Sequence, residues 1–141
     1  MGTTSQTNGG PAIGWMDGNR PFILKSADIS LIGRAANDVI QALEIPAGVV
    51  ITRVDTEIVT ACSVASADID VGDDASTAGY DNAVPVDAAA GTRVSSVQGT
   101  DAYAGIGKKY TAANTIDIIL TTAASSPTAG AVRLYAHGYY Y

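Results

Sequence analysis

One cysteine and one histidine are all this chain offers for soft metal coordination and imidazole chemistry. Cys62 alone cannot close a disulfide within the chain. One Cys with one His cannot complete the four-ligand set of a structural zinc site. Within Ile58-Val59-Thr60-Ala61-Cys62-Ser63, the thiol reads as a small, semi-buried apolar side chain at a strand end. Hydrolytic triads fail for the same scarcity: His137 lies in the final strand-like run beside aromatic residues, and no Gly-x-Ser-x-Gly elbow occurs. Tryptophan is equally scarce. Trp15 stands alone, so there is no Trp-lined cleft for a sugar, although any two of the 14 acids could still meet as a glycosidase pair. Basic residues number only 8, giving a net charge of -6, and they are scattered. Such a chain does not bind nucleic acid by neutralising phosphates. No apolar run approaches the roughly 20 residues needed to span a bilayer. Met1 to Gly10 also lacks the basic and apolar regions of a signal peptide. The expectation is synthesis in the cytoplasm, with no membrane partner.

What the chain does contain is period-two alternation. Charged residues make up 16%, against a usual value of about 25%, and Ala, Thr, Ser and Gly take their place. That composition suits close packing in sheets or at subunit contacts. The clearest segment is Val50 to Ile58, where Val50, Thr52, Val54, Thr56 and Ile58 share one face and Arg53, Asp55 and Glu57 the other. This is the pattern of a half-buried strand. Phe22–Lys25, Ile29–Ile32, Val39–Ile45, Ala67–Gly72 and Thr92–Val97 read as further strands. Pro46-Ala47-Gly48 marks the turn between the third and fourth strands, and Ala78–Ala83 reads as a short helical turn. Thr115–Leu120 (Ile116, Ile118 and Leu120 on one face) and Ala131–His137 (Val132, Leu134 and Ala136 inward) are expected to pair as an antiparallel hairpin with a long Ser/Pro/Gly loop. Seven or eight short strands separated by turn signals, with no helix long enough for an α/β layer, predict an all-β antiparallel β-sandwich or jelly-roll-like domain. It covers residues 21–141. Residues 1–20 form an extended N-terminal arm, because Met1–Gly10 has almost nothing to bury.

Two motifs hint at chemistry and fall short. Asp68-x-Asp70-x-x-Asp73-Asp74 is the only acidic cluster. An EF-hand loop would need an oxygen ligand where Gly72 stands and a later Glu, yet the last Glu is Glu57. The cluster reads as a solvated strand face running into an Asp turn, with weak cation binding as the alternative. Gly105-Ile106-Gly107-Lys108-Lys109 suggests a phosphate loop, but that pattern needs Gly at Ala102 and Ser or Thr at Lys109. No cofactor or metal site is therefore assigned. The remaining candidates are contact residues. Trp15 is an anchor packed on the body or on a neighbour. Tyr139, Tyr140 and Tyr141 form either a sticky end for a partner or the continuation of the last strand, rings packed on their own sheet.

Four segments carry a resemblance. They are Leu43-Glu44-Ile45-Pro46-Ala47-Gly48-Val49-Val50-Ile51, Ile69-Asp70-Val71-Gly72-Asp73, Gly107-Lys108-Lys109-Tyr110-Thr111-Ala112-Ala113-Asn114-Thr115-Ile116-Asp117 and Thr128-Ala129-Gly130-Ala131-Val132-Arg133-Leu134. Together they resemble small structural proteins of tailed bacteriophages, whose pattern is a strand after "IPAG", a "DVGDG"-like turn, a "KYYTAADTIDL"-like hairpin and an "AGxVRV" closing strand. The sequence departs from it at Asp73-Asp74, where Gly is more usual, and before Leu43. The resemblance implies a β-sandwich virion component made in the host cytoplasm and no enzyme. The first expectation is a capsid decoration (cement) protein. It would bind the major capsid protein on the outer head surface as a homotrimer, through the Gly2–Trp15 arm and Tyr139–Tyr141. The alternatives are a tail, collar or fibre module, a glycan-binding β domain, and an enzyme with a concave pocket.

Overall fold

The structure, a computed structural model, describes residues 20–96, 102–103 and 106–141. These form ten strands: β1 (Pro21–Lys25), β2 (Ile29–Ser30), β3 (Val39–Ile45), β4 (Val49–Thr60), β5 (Asp68–Gly72), β6 (Asp81–Pro85), β7 (Arg93–Ser95), β8 (Lys108–Tyr110), β9 (Asn114–Thr122) and β10 (Ala131–Tyr140). One sheet runs β1-β10-β4-β7, with β2 also on β10 and β8 also on β4; the other runs β3-β9-β5-β6. All pairings are antiparallel.

The pairings nest. β1 pairs with β10, β3 with β9, β4 with β7 and β5 with β6, so the chain behaves as one long antiparallel ribbon. Successive pairs alternate between the two sheets, which makes the β-sandwich a jelly roll. This corrects the expected hairpin of the last two strands: β9 lies in the four-stranded sheet and β10 in the six-stranded one, so residues 123–130 cross the sandwich. Pro46-Ala47-Gly48 makes the same crossing between β3 and β4.

The core fills the space between the sheets. Ile116, Ile118 and Leu120 from β9 and Ile69 and Val71 from β5 face Val132, Leu134 and Ala136 from β10 and Val54 and Ile58 from β4, all buried. Each fully buried branched aliphatic side chain contributes about 1.5–3 kcal/mol relative to exposure.

The inward face of β4 differs from the simple alternation. His137 on β10 pairs with Arg53, but Gly138 pairs with Ile51, so Thr52 is an extra residue in a bulge. Before the bulge Val49 and Ile51 point inward. After it Val54, Thr56 and Ile58 do, leaving Val50 half-buried and Thr52 exposed. Gly138 is required at this step, because a Cβ there would run into the Val50 carbonyl oxygen and crowd the Phe22 ring.

A second bulge replaces the expected helical turn at 78–83. Ile69 pairs with Val84 and Val71 with Asp81, so two residues of β6 oppose Asp70. Ala83 there takes φ 56°, and its N–H donates to Asp70 Oδ1 at 2.9 Å. The side chain of Asp70 thus supplies the bond that the ladder loses.

Candidate functional site

Odd-numbered residues of β10 point away from the core, and the register with β4 sets them against that strand's charged face. Arg133 lies opposite Glu57, Tyr135 opposite Asp55 and His137 opposite Arg53. Arg133 Nε donates to Asp28 Oδ1 at 2.7 Å and Nη1 to Glu57 Oε1 at 3.4 Å. The Tyr135 hydroxyl donates to the same Glu57 oxygen at 2.7 Å, and the Arg93 guanidinium lies 4.2 Å from the centre of the Tyr135 ring. Further along, His137 Nε2 stands 3.2 Å from Asp55 Oδ2 and 3.4 Å from Arg53 Nη2. With a proton, Nε2 donates to Asp55; without one, it accepts from Arg53. Among the described residues the ring meets no hydroxyl or thiol. The result is a charge-matched face rich in Arg and Tyr, the residue types that carry binding energy at protein interfaces.

A second polar constellation lies inside. Asp73, read from the sequence as part of a solvated turn, is only 1% exposed. Its Oδ2 accepts from Lys108 Nζ at 2.7 Å and from the Tyr110 hydroxyl at 2.8 Å. Its Oδ1 accepts from the Ala75 and Ser76 N–H groups, each at 3.0 Å, and from the Tyr103 hydroxyl at 3.1 Å. The Tyr80 hydroxyl completes the chain, 3.0 Å from that of Tyr110. Burial alone would raise the Asp73 pKa. The hydrogen bonds from Lys108, Tyr110, Ser76 and Tyr103 outweigh it and hold the carboxyl below the usual carboxylate range. Burial would likewise lower the Lys108 pKa, but Asp73 and Tyr103 raise it. Tyr110 and Tyr80 are pushed up, chiefly by burial. The Lys108 ammonium is therefore tied into the fold rather than presented to a phosphate.

The other acids of the cluster match the expected strand face. Asp68 and Asp70 lie half-buried on β5. The Asp68 pKa is raised by partial burial and then by its neighbours Asp87 and Asp70. Among the described residues no group of three or more His, Cys, Asp or Glu side chains converges as metal ligands would.

Of the candidate contact residues, Trp15 falls outside the described residues. Tyr139 and Tyr140 end β10 and Tyr141 follows it, and the rings of Tyr140 and Tyr141 rest on their own sheet. Tyr140 packs on Phe22 with ring centres 5.0 Å apart, and its N–H donates to the Arg20 carbonyl at 3.1 Å. Lys109 Nζ sits 4.0 Å from the centre of the Tyr141 ring, and the Tyr141 hydroxyl donates to the Tyr110 carbonyl at 3.3 Å. Tyr139 is half-buried, while Tyr140 and Tyr141 stay 39% and 47% exposed.

The chain shares its fold with chains of bacteriophage capsids. It superposes on a chain of the cyanophage Pam1 capsid asymmetric unit with TM-score 0.66 and 19% identity, covering 88% of this chain and 87% of that one. A chain in the capsid of Ralstonia phage GP4 gives 0.66 at 15% identity, covering 88% and 86%. A chain in the acidic stable capsid structure of Helicobacter pylori bacteriophage KHP30 gives 0.61 at 14%, covering 86% and 89%. No protein-family model and no curated protein sequence matches the chain. At these identities the likeness is one of fold.

Sequence reasoning missed both the Arg133–Glu57–Tyr135 face and the Asp73 hub. The first had a signal: Arg133, Tyr135 and His137 alternate with Val132, Leu134 and Ala136, as Arg53, Asp55 and Glu57 alternate with Val54, Thr56 and Ile58. Only the pairing of β10 with β4 joins the two rows.

Proposed function

We propose that this chain is a structural protein of a bacteriophage virion. In this reading it is a capsid decoration protein that binds the major capsid protein on the outer head surface. Its fold is the observation that carries the reading: nearly the whole chain follows capsid chains of about its own length in three phages. The protein assembles as a homotrimer, is made in the host cytoplasm and ends in the virion. It acts mechanically and catalyses no reaction. Each copy buries surface on two or more shell subunits, so opening the shell must also break those contacts. The contacts are the Gly2–Trp15 arm, with Trp15 as its anchor, and Tyr139, Tyr140 and Tyr141 at the end of β10.

Mixing the purified protein with undecorated heads and imaging the particles tests this. Many copies spread over the head surface are expected. A few copies at one vertex would move the protein to the tail or collar, and no binding would remove the reading. A chain lacking residues 1–15 should keep its fold and lose the heads. Decoration at full occupancy without the arm would exclude the arm as a contact.

A further inference from the structure

The two sheets of this sandwich carry opposite charge. β3, β9, β5 and β6 contain no Lys, Arg or His, yet they supply Glu44, Asp117, Asp68, Asp70 and Asp81. The strands of the six-stranded sheet hold Lys25, Arg53, Arg93, Lys108, Lys109 and Arg133, against two acids, Asp55 and Glu57. In a chain of net charge -6, one face is therefore basic. The acidic face is uncompensated within the chain. Asp68 has its pKa raised by burial and then by Asp87 and Asp70, and Asp117 by burial and then, against a hydrogen bond with Thr115, by Asp74 and Asp73.

Each face also has an apolar centre. On the six-stranded sheet, Ile23 lies opposite His137, and Tyr139 lies between Pro21 and Val50. Ile23 is 60% exposed, and Tyr139 and Val50 are half-buried. Cations surround them: Lys25 two residues along β1, Arg53 on the far side of His137 and Lys109 opposite Val50. Lys25 and Lys109 make no ion pair among the described residues. Asp55, the next acid on this face, is buried and already bonded to Arg53 and His137. On the four-stranded sheet Val39, 58% exposed, lies opposite Ile119, and Ile119 opposite Asp70. Asp117 and Glu44 flank that pair along β9 and β3. An apolar centre inside a polar rim is the anatomy of a protein interface.

The signs select the occupant. Two copies meeting through the same face would set like charges against each other, which is costly. Residues 1–19 cannot neutralise either face, since Asp17 is their only charged side chain. Opposite signs meet when the basic face of one copy lies on the acidic face of the next. We infer that the outer face of the six-stranded sheet, around Ile23, Val50 and Tyr139, docks on the outer face of the four-stranded sheet of a second copy, around Val39 and Ile119. Such a head-to-tail contact generates a ring when its rotation closes. Ile23 and Val39 lie on β1 and β3, which bank one groove on the same flank, so copies joined there turn about that flank instead of stacking in line. This deepens the proposed function by naming the contact within its trimer, and it rests on that reading for the number of copies.

Sedimentation of the free full-length protein, with no heads present, tests the contact. The expected mass is three times the 14.3 kDa of one chain, and the association should weaken several-fold when salt screens the rims. Lys25→Glu with Lys109→Glu should give a monomer, and so should Glu44→Lys with Asp68→Lys. All four substitutions in one chain make the two faces opposite in sign again, so the trimer should return, a recovery that misfolding cannot imitate. A monomeric wild-type chain, swaps that leave the mass unchanged, or no recovery in the fourfold variant would overturn the inference. A chain that decorates heads but is a monomer in solution would overturn this contact alone. A trimer that obeys the charge swaps but ignores heads would support the contact and remove the decoration reading.

Discussion

The carboxylate of Asp73 and the ammonium of Lys108 meet at 2.7 Å, although 35 residues separate them. The contact joins the turn after β5, in one sheet, to β8, in the other. Replacing Asp73 by Ala should destabilise the protein by about 3–5 kcal/mol, because a partly buried ammonium, two tyrosine hydroxyls and two N–H groups lose their acceptor together. Lys108→Met should cost less, since the carboxylate keeps its four other donors. Urea unfolding of both variants gives the comparison, and equal small losses would show that the hub is incidental to stability.

The same carboxylate sets the acid limit of the fold. The Asp73 pKa is lowered in the folded state, so its contribution is fully present above the unfolded carboxylate value near 4 and disappears as pH falls through the lower folded value. Asp68 and Asp117 act with the opposite sign. Both are raised, Asp68 by burial, Asp87 and Asp70, and Asp117 by burial and then by Asp74 and Asp73. The folded state therefore binds their protons more readily, and stability gains as pH falls through their raised values toward 4. Urea midpoints measured against pH should rise slightly in mild acid and then fall. Asp73→Asn should remove most of the fall and leave the rise.

Gly138 tests the β4/β10 bulge. Its missing Cβ makes room for the Val50 carbonyl, so Gly138→Ala must shift backbone rather than a flexible side chain. A loss of about 1–3 kcal/mol is expected from overpacking. An unchanged melting temperature would mean that the bulge relaxes freely.

Most strand segments, though not β6 or β8, and the Ile116, Ile118, Leu120 and Val132, Leu134, Ala136 faces were legible because period-two alternation is local. Which strand pairs with which is not local. β9 and β10 look like a hairpin in the chain, and only the nesting of all the pairs sends them to different sheets. The bulge at Thr52 was hidden for a related reason, since one inserted residue reverses the face of everything beyond it. Asp73 gave no signal at all. An Asp after a strand usually sits in a solvated turn, and its side-chain partners Tyr103, Lys108 and Tyr110 come from a segment that only the tertiary fold brings near. The terminal tyrosines could be located but not interpreted, because continuing a strand and offering a contact demand the same residues.

The charged face of β4 and β10 separates stability from binding. Glu57 accepts from Tyr135 at 2.7 Å and from Arg133 at 3.4 Å, but it lies on a solvent-facing sheet surface where such networks contribute only about 0–1 kcal/mol. Glu57→Gln should therefore change the urea midpoint little. Reversing a charge with Arg133→Glu would set a third carboxylate beside Asp28 and Glu57, and it should still fold, because no core residue moves. If this face meets the shell, Arg133→Glu should abolish decoration, while Tyr140→Ala with Tyr141→Ala reduces it only in part. If the C-terminal rings are the contact, the order reverses. Occupancy counted on imaged heads for the two variants, alongside their unfolding curves, tests both contacts that the proposed decoration role allows, and full occupancy with both variants would exclude both.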